Sequence, residues 1–218
     1  MMNVRELKKS YGEGASLVEV LKGINLDIQR GETVALLGKS GSGKSTLLSL
    51  MSGLDQPDSG DIVMDGKNIS GLSEKELTSF RAHNMGIVFQ QFHLVSTLTA
   101  LENVLLPLEL LKRSGAMERA TFLLEQVGLK PRMHHLPSQL SGGESQRVAI
   151  ARAMAISPKI LFADEPSGNL DEETGEHVME LLLKMVKDSG TTMVLVTHDR
   201  DLSKKCSRVI HLEHGGIV

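Results

Sequence analysis

The sequence predicts an α/β fold: a mainly parallel sheet at the core, antiparallel strands before it, and a helical lobe inserted between two core strands. Three observations carry this. Short apolar runs recur at Thr33–Leu37, Gly86–Phe89, Ile160–Ala163 and Thr191–Val196. The last two lack polar alternation, the pattern of strands covered on both faces. Helical stretches at Ser45–Met51, Glu144–Ile156 and Glu173–Lys187 alternate with these runs, as a parallel sheet requires of its crossovers.

Two regions depart from the alternation. Residues 2–30 read as antiparallel strands, because apolar and polar side chains alternate through Ile24, Asn25, Leu26, Asp27 and Ile28. Residues 97–140 read as helical throughout. They open on a capping-box spacing from Thr99 to Glu102, and Leu123, Leu124, Val127 and Leu129 continue the apolar pattern. No repeat, low-complexity tract or long linker divides the chain, so residues 1–218 are expected to form one domain with a helical subdomain at about 97–140.

Composition narrows the function. A net charge of −3 over 218 residues offers no basic stripe of the kind that follows phosphate backbones. No apolar run reaches the ~18 residues of a membrane span. The start, MMNVRELKKSYGEG, has no apolar segment of a secretory signal. Cys206 is the only cysteine, so no internal disulfide forms. These features predict a cytoplasmic protein whose link to a membrane runs through another polypeptide. His134, His135, His211 and His214 stand near no cysteine pair and make no zinc pattern.

Two motifs carry chemistry. Gly38, Lys39, Ser40, Gly41, Ser42, Gly43, Lys44 and Ser45 match G-x-x-x-x-G-K-[ST], and Thr46 continues into the helix. A predicted strand precedes the motif. The glycines let the backbone wrap so that successive N–H groups face phosphate oxygens, and the helix N-terminus adds its partial positive charge. Lys44 would reach the β- and γ-phosphates, and the Ser45 hydroxyl would ligate Mg²⁺. The motif alone specifies nucleotide binding. The second motif is the acid pair Asp164–Glu165, directly after the apolar run Ile160–Ala163. That places both acids at the carboxyl edge of a buried strand, where open α/β sheets bind ligands. Asp164 is then set to organise Mg²⁺, and Glu165 to accept a proton from an attacking water.

Leu140-Ser141-Gly142-Gly143-Glu144-Ser145-Gln146-Arg147 exposes a hydroxyl and amides at a helix start, a second anion site far in sequence from the first. The stretch is identical to the LSGGE signature core of the ABC (ATP-binding cassette) family with its following Q-R. The chain resembles that family along nearly its whole length. The resemblance implies a head-to-tail homodimer that holds two ATP molecules. Each would lie between one copy's phosphate loop and the other's Ser141, Gly142, Gly143 and Glu144. It also implies that Tyr11 stacks on adenine, that Gln90 touches Mg²⁺ and the water, and that Ser167–Asp171 form a loop at the dimer interface. His198 would contact the γ-phosphate. No key position departs from the family pattern, so an active ATPase is implied.

Gly53–Gly60, Met85–Leu94, Leu98–Val104 and Ala163–Asp171 further resemble the subgroup of lipoprotein-releasing, macrolide-exporting and cell-division ATPases. That implies an integral membrane permease as partner. Its coupling helix would meet Phe92, Leu94, Val95, Leu98 and Leu101, residues that equally suit internal packing. Two rivals stay open: a regulatory ATPase that controls a cell-envelope hydrolase, and a soluble mechanoenzyme on nucleic acid or the ribosome.

Overall fold

The computed structural model describes residues 1–218, except for the side chain of Ala15. In chain order the first elements are β1 (Met2–Tyr11), β2 (Val18–Ile28), β3 (Thr33–Leu37), α1 (Lys44–Met51), β4 (Ser59–Met64), β5 (Lys67–Asn68) and α2 (Glu74–Asn84). The middle of the chain forms β6 (Met85–Phe89), α3 (Ala100–Leu110), α4 (Ala116–Gln126), α5 (Gly142–Met154), β7 (Ile160–Asp164) and α6 (Glu172–Ser189). The last are β8 (Thr192–Thr197), α7 (Arg200–Lys204), β9 (Arg208–Glu213) and β10 (Gly216–Ile217). They gather into two units, Met1–Arg81 with Thr192–Val218, and Ala82–Thr191.

In the first unit β2, β1, β4 and β5 form an antiparallel sheet. Ile24, Leu26 and Ile28 are buried while Asn25 and Asp27 are not, as the alternation requires. On β1 the alternation slips by one residue. Val4 and Leu7 are both buried, and the register shifts between them at a bulge where Glu6 holds a φ of 45°. Gly60 of β4 faces this bulge, and a Cβ there would lie 2.5 Å from the Glu6 carbonyl oxygen. A second ladder in this unit is parallel: β3 pairs with β8 and with β9. All of β8 and Val34–Leu37 of β3 are buried, which explains their unbroken apolar runs.

In the second unit β6 and β7 pair in parallel, from Met85 opposite Ile160 to Phe89 opposite Asp164. Helices α3, α4 and α5 pack on one another, and α5 also packs on β6 and α6. The expected capping box closes the start of α3: Thr99 Oγ1 accepts from the Glu102 amide, and Glu102 accepts from the Thr99 amide. The stretch 97–140 is not helical throughout. It holds α3, α4 and two short 3-10 turns at Lys130–Arg132 and Pro137–Gln139, because Gly115 before α4 and Gly128 after it hold left-handed backbones, φ 67° and 71°, that an α-helix does not continue through. Among the described residues no helix is long and apolar enough to cross a membrane. Cys206 is buried, and burial pushes its thiol up to about 11.

Candidate functional site

The phosphate loop leaves β3 at Gly38 and enters α1 at Lys44. Gly38 has room for nothing larger: a Cβ there would stand 2.3 Å from the Leu212 carbonyl oxygen and 2.7 Å from Ser42 Oγ. Gly43 is the N-cap of α1 in a left-handed conformation, φ 101°, and no side chain caps that helix. The first-turn amides of α1 therefore open into the loop without a side-chain acceptor. Lys44 is buried and folds back, with Nζ donating to the carbonyls of Gly38 and Lys39 at 2.8 and 2.9 Å. Ser42 Oγ is buried with no partner among the described residues. An uncapped helix start, a captive ammonium and an unmet hydroxyl are the chemistry that fits a polyphosphate.

Tyr11 ends β1. Its hydroxyl donates to Asp55 Oδ2 at 2.8 Å, while the residue stays 44% exposed. Burial, then the Asp55 bond, pushes the phenol above its ordinary pKa, while a hydrogen bond with Thr46 pulls the other way. Lys9 pairs with the same Asp55 at 3.1 Å, and its Nζ lies 5.1 Å from the Tyr11 ring centroid. The ring is thus fixed in direction and open to solvent, beside the first turn of α1.

His198 follows Thr197, which pairs with Leu37, so His198 and Gly38 leave neighbouring strand ends. The chain after it is pinned. The Asp199 amide donates to Thr197 Oγ1, and the Asp199 carboxylate caps α7 at the amides of Asp201 and Leu202. His198 itself is exposed.

The second unit repeats this logic. Phe89 pairs with Asp164, so Gln90 and Glu165 leave neighbouring strand ends. Glu165 holds a φ of 43°, a left-handed conformation in which non-glycine residues are strained. Its carbonyl accepts from the Gly168 amide at 2.9 Å, closing a tight turn. Gln90 is clamped to this loop by reciprocal bonds. Its Nε2 donates to Asn169 Oδ1 at 3.0 Å, and Asn169 Nδ2 donates to the Gln90 carbonyl at 3.1 Å. A Cβ on Gly168 would stand 2.8 Å from Gln90 Nε2, which accounts for the glycine.

Ser141 is the N-cap of α5, which therefore starts two residues before the expected Glu144. A complete capping box closes it: Ser141 Oγ accepts from the Glu144 amide at 3.2 Å, and Glu144 Oε2 accepts from the Ser141 amide at 2.8 Å. The Ser141 backbone bond holds the Glu144 carboxyl below its ordinary pKa, assisted by Arg132 at 3.3 Å. Gly142 is exposed. Gly143 is buried, and a Cβ there would stand 2.4 Å from Thr174 Cγ2. Sequence reasoning gave these glycines to ligand binding alone and missed Thr174, as it missed the Leu212 carbonyl behind Gly38. Neither carries a sequence signal, since one is an ordinary helix residue and the other acts through its main chain. One unit thus holds Tyr11, the phosphate loop and His198. The other holds Gln90, Asp164, Glu165 and Ser141–Glu144.

The ABC transporter family model matches residues 21–168. The lipoprotein-releasing system ATP-binding protein LolD of Geobacter metallireducens is 49% identical over 220 residues, covering 100% of this chain and 98% of that protein. The uncharacterized ABC transporter ATP-binding protein YbbA of Escherichia coli is 48% identical over 217 residues, covering 99% and 95%. Among solved structures, the dimeric post-hydrolysis state of the ATP-binding cassette MJ0796, bound to ADP and phosphate, superposes with a TM-score of 0.91. It is 42% identical, and the match covers 100% of this chain and 96% of that one. This chain belongs to the ABC transporter family, as its ATP-binding and ATP-hydrolysing subunit.

Proposed function

We propose that two copies of this chain close head-to-tail around two MgATP and drive an integral membrane partner of a lipoprotein-release or efflux-like complex. The start of α5 carries the reading. Its capping box satisfies the Glu144 amide and leaves the Ser141 O–H and the amides of Gly142 and Gly143 as donors outside the helix ladder. A phosphate held by the uncapped loop of one copy gives these donors their acceptor in the other. The dimeric MJ0796 cassette and the name of the LolD relative support the pairing and the cargo class.

Within each site the phosphate loop and Lys44 hold the phosphates, and Tyr11 offers its ring to the base. The oxygens of Ser45, Asp164 and Gln90 are the hard donor set that suits Mg²⁺; the ion supplies charge neutralisation on the phosphate oxygens. Glu165 takes the proton of the attacking water, and His198 meets the γ-phosphate. The 1–218 chain acts as one cassette, with the helices of about 97–140 as its lobe. The partner docks where Phe92, Leu94, Leu98 and Leu101 are half-buried and Val95 is exposed. An adjoining groove lined by Ile87, Leu106, Pro107 and Leu110 extends this surface. The chain would then work at the inner face of the cell membrane through that partner.

The test is Glu165→Gln with MgATP. Hydrolysis should fall by about 10²–10⁴-fold, and light scattering should show an ATP-dependent dimer. That dimer, used as bait on solubilised membranes, should bring down an integral membrane protein. Unchanged hydrolysis would remove Glu165 as the base, and a monomer in ATP would remove the shared site.

A further inference from the structure

Gln146 sits in the second turn of α5 and is 0% exposed. A primary amide has two N–H donors, and this one uses both. Nε2 donates to the Phe89 carbonyl at 3.2 Å and to the Pro166 carbonyl at 2.6 Å. Two carbonyl neighbours fix which end of the amide is nitrogen. Phe89 immediately precedes Gln90, and Pro166 immediately follows Glu165. One side chain therefore grips the main chain beside both residues at the carboxyl edge of β6 and β7. It does so from the helix that begins at Ser141.

The other end of the amide argues in the same direction. Gln146 Oε1 is buried with no partner among the described residues. The polar contacts this side chain makes are the two donated bonds. One donor serves a strained turn. Glu165, at φ 43°, keeps that backbone only where its surroundings over-determine it, and the bond to the next carbonyl is one such constraint. The Asn169 clamp ties Gln90 to the same turn. Displacement of the α5 start thus reaches both turns through two hydrogen bonds.

We infer that Gln146 is a positioning residue for hydrolysis, holding the Glu165 and Gln90 turns in register with the helix that begins at Ser141. It touches no substrate, and the inference rests on the reading of Glu165 as the base. Two variants of the full chain test it. Gln146→Met keeps the volume and loses both donors. Gln146→Asn keeps the amide but is one methylene too short to reach both carbonyls. Each should lower kcat, the Met variant by about 10²-fold, with KM for ATP unchanged. Added to Glu165→Gln, Gln146→Met should lower the residual rate by clearly less than it lowers the wild-type rate, since the share of the loss that runs through Glu165 is already taken and only the share through Gln90 remains. A wild-type kcat in either variant overturns the inference. So does a rise in KM matching the fall in kcat, or a full multiplicative loss in the double variant. If Gln146→Met does not fold, Gln146→Asn carries the test. Unchanged hydrolysis by Glu165→Gln alone would sink the base reading instead, and the single Gln146 variants would still report on positioning.

Discussion

The molecule has two helix starts that we propose face phosphate, and they are built in opposite ways. At α1 the N-cap is Gly43 in a left-handed conformation, no side chain caps the helix, and Lys44 folds over the loop. At α5 the N-cap is Ser141, and a full capping box with Glu144 closes the first turn. A helix leaves four orphan amides at its start. The first site leaves them to the loop and gains most from an anion. The second answers part of that need internally, so it is formed before any phosphate arrives. This asymmetry suits one site that keeps a nucleotide and another that meets a partner's nucleotide only on closure.

The largest effect expected from this difference lies at Gly38. A Cβ there would press on the Leu212 carbonyl at 2.3 Å, a main-chain atom with little freedom to move. Overpacking of this kind costs about 1–3 kcal/mol, so Gly38→Ala should weaken ATP binding by roughly ten- to a hundredfold. The matched change at the other start, Gly142→Ala, meets only Leu170 Cδ2 at 3.2 Å and Phe92 at 3.7 Å. It should leave ATP binding by the isolated chain unchanged. Titration with a fluorescent nucleotide separates the two. Equal losses would mean that the starts are not specialised.

How far this was legible in the sequence follows from burial. Strands β3, β7 and β8 are covered on both faces and announce themselves as apolar runs. β4 and β5 carry no such signal, because Ser59, Gly60 and Asp61 begin β4 with polar and flexible residues and the two strands turn at Asp65–Gly66. The phosphate loop, the acid pair and the signature could be read because their chemistry demands fixed residues at fixed spacing. Their supports could not. Asn169 holds Gln90 across 79 residues, Thr174 crowds Gly143, and Leu212 acts through a carbonyl. Long-range contacts of this kind leave no periodic trace in the chain. α5 begins at Gly142 and not at the expected Glu144, because a residue with the chemistry of a phosphate ligand, Ser141, is also the cap of that helix.

The cap, at a residue also proposed to meet the partner copy's phosphate, gives the next prediction in size. Ser141→Ala removes the cap acceptor, a loss of typically ~1 kcal/mol, and should lower Tm by about 2–4 °C. ATP binding by the isolated chain should hold while hydrolysis falls. Were nucleotide binding by the monomer to disappear instead, the helix start would belong to the same copy's nucleotide and the division between the two starts would fail.

The smallest effect isolates the charge of the cap. Glutamine at the third helical position can also complete a capping box, so Glu144→Gln keeps the shape of the α5 start and removes its carboxylate. The wild-type carboxyl is held below its ordinary pKa, first by the Ser141 amide. A depressed folded-state pKa stabilises above the ordinary glutamate value and ceases to do so as pH falls through the lowered one. At neutral pH the variant should therefore melt about a degree lower, the size expected of an exposed charge at a helix N-terminus. The gap should close in acid, where the wild-type side chain is neutral too, and added salt should narrow it. A gap that persisted in acid would show that geometry, not charge, maintains the α5 cap. The two helix starts would then differ in the shape of their caps and not in who supplies the negative charge.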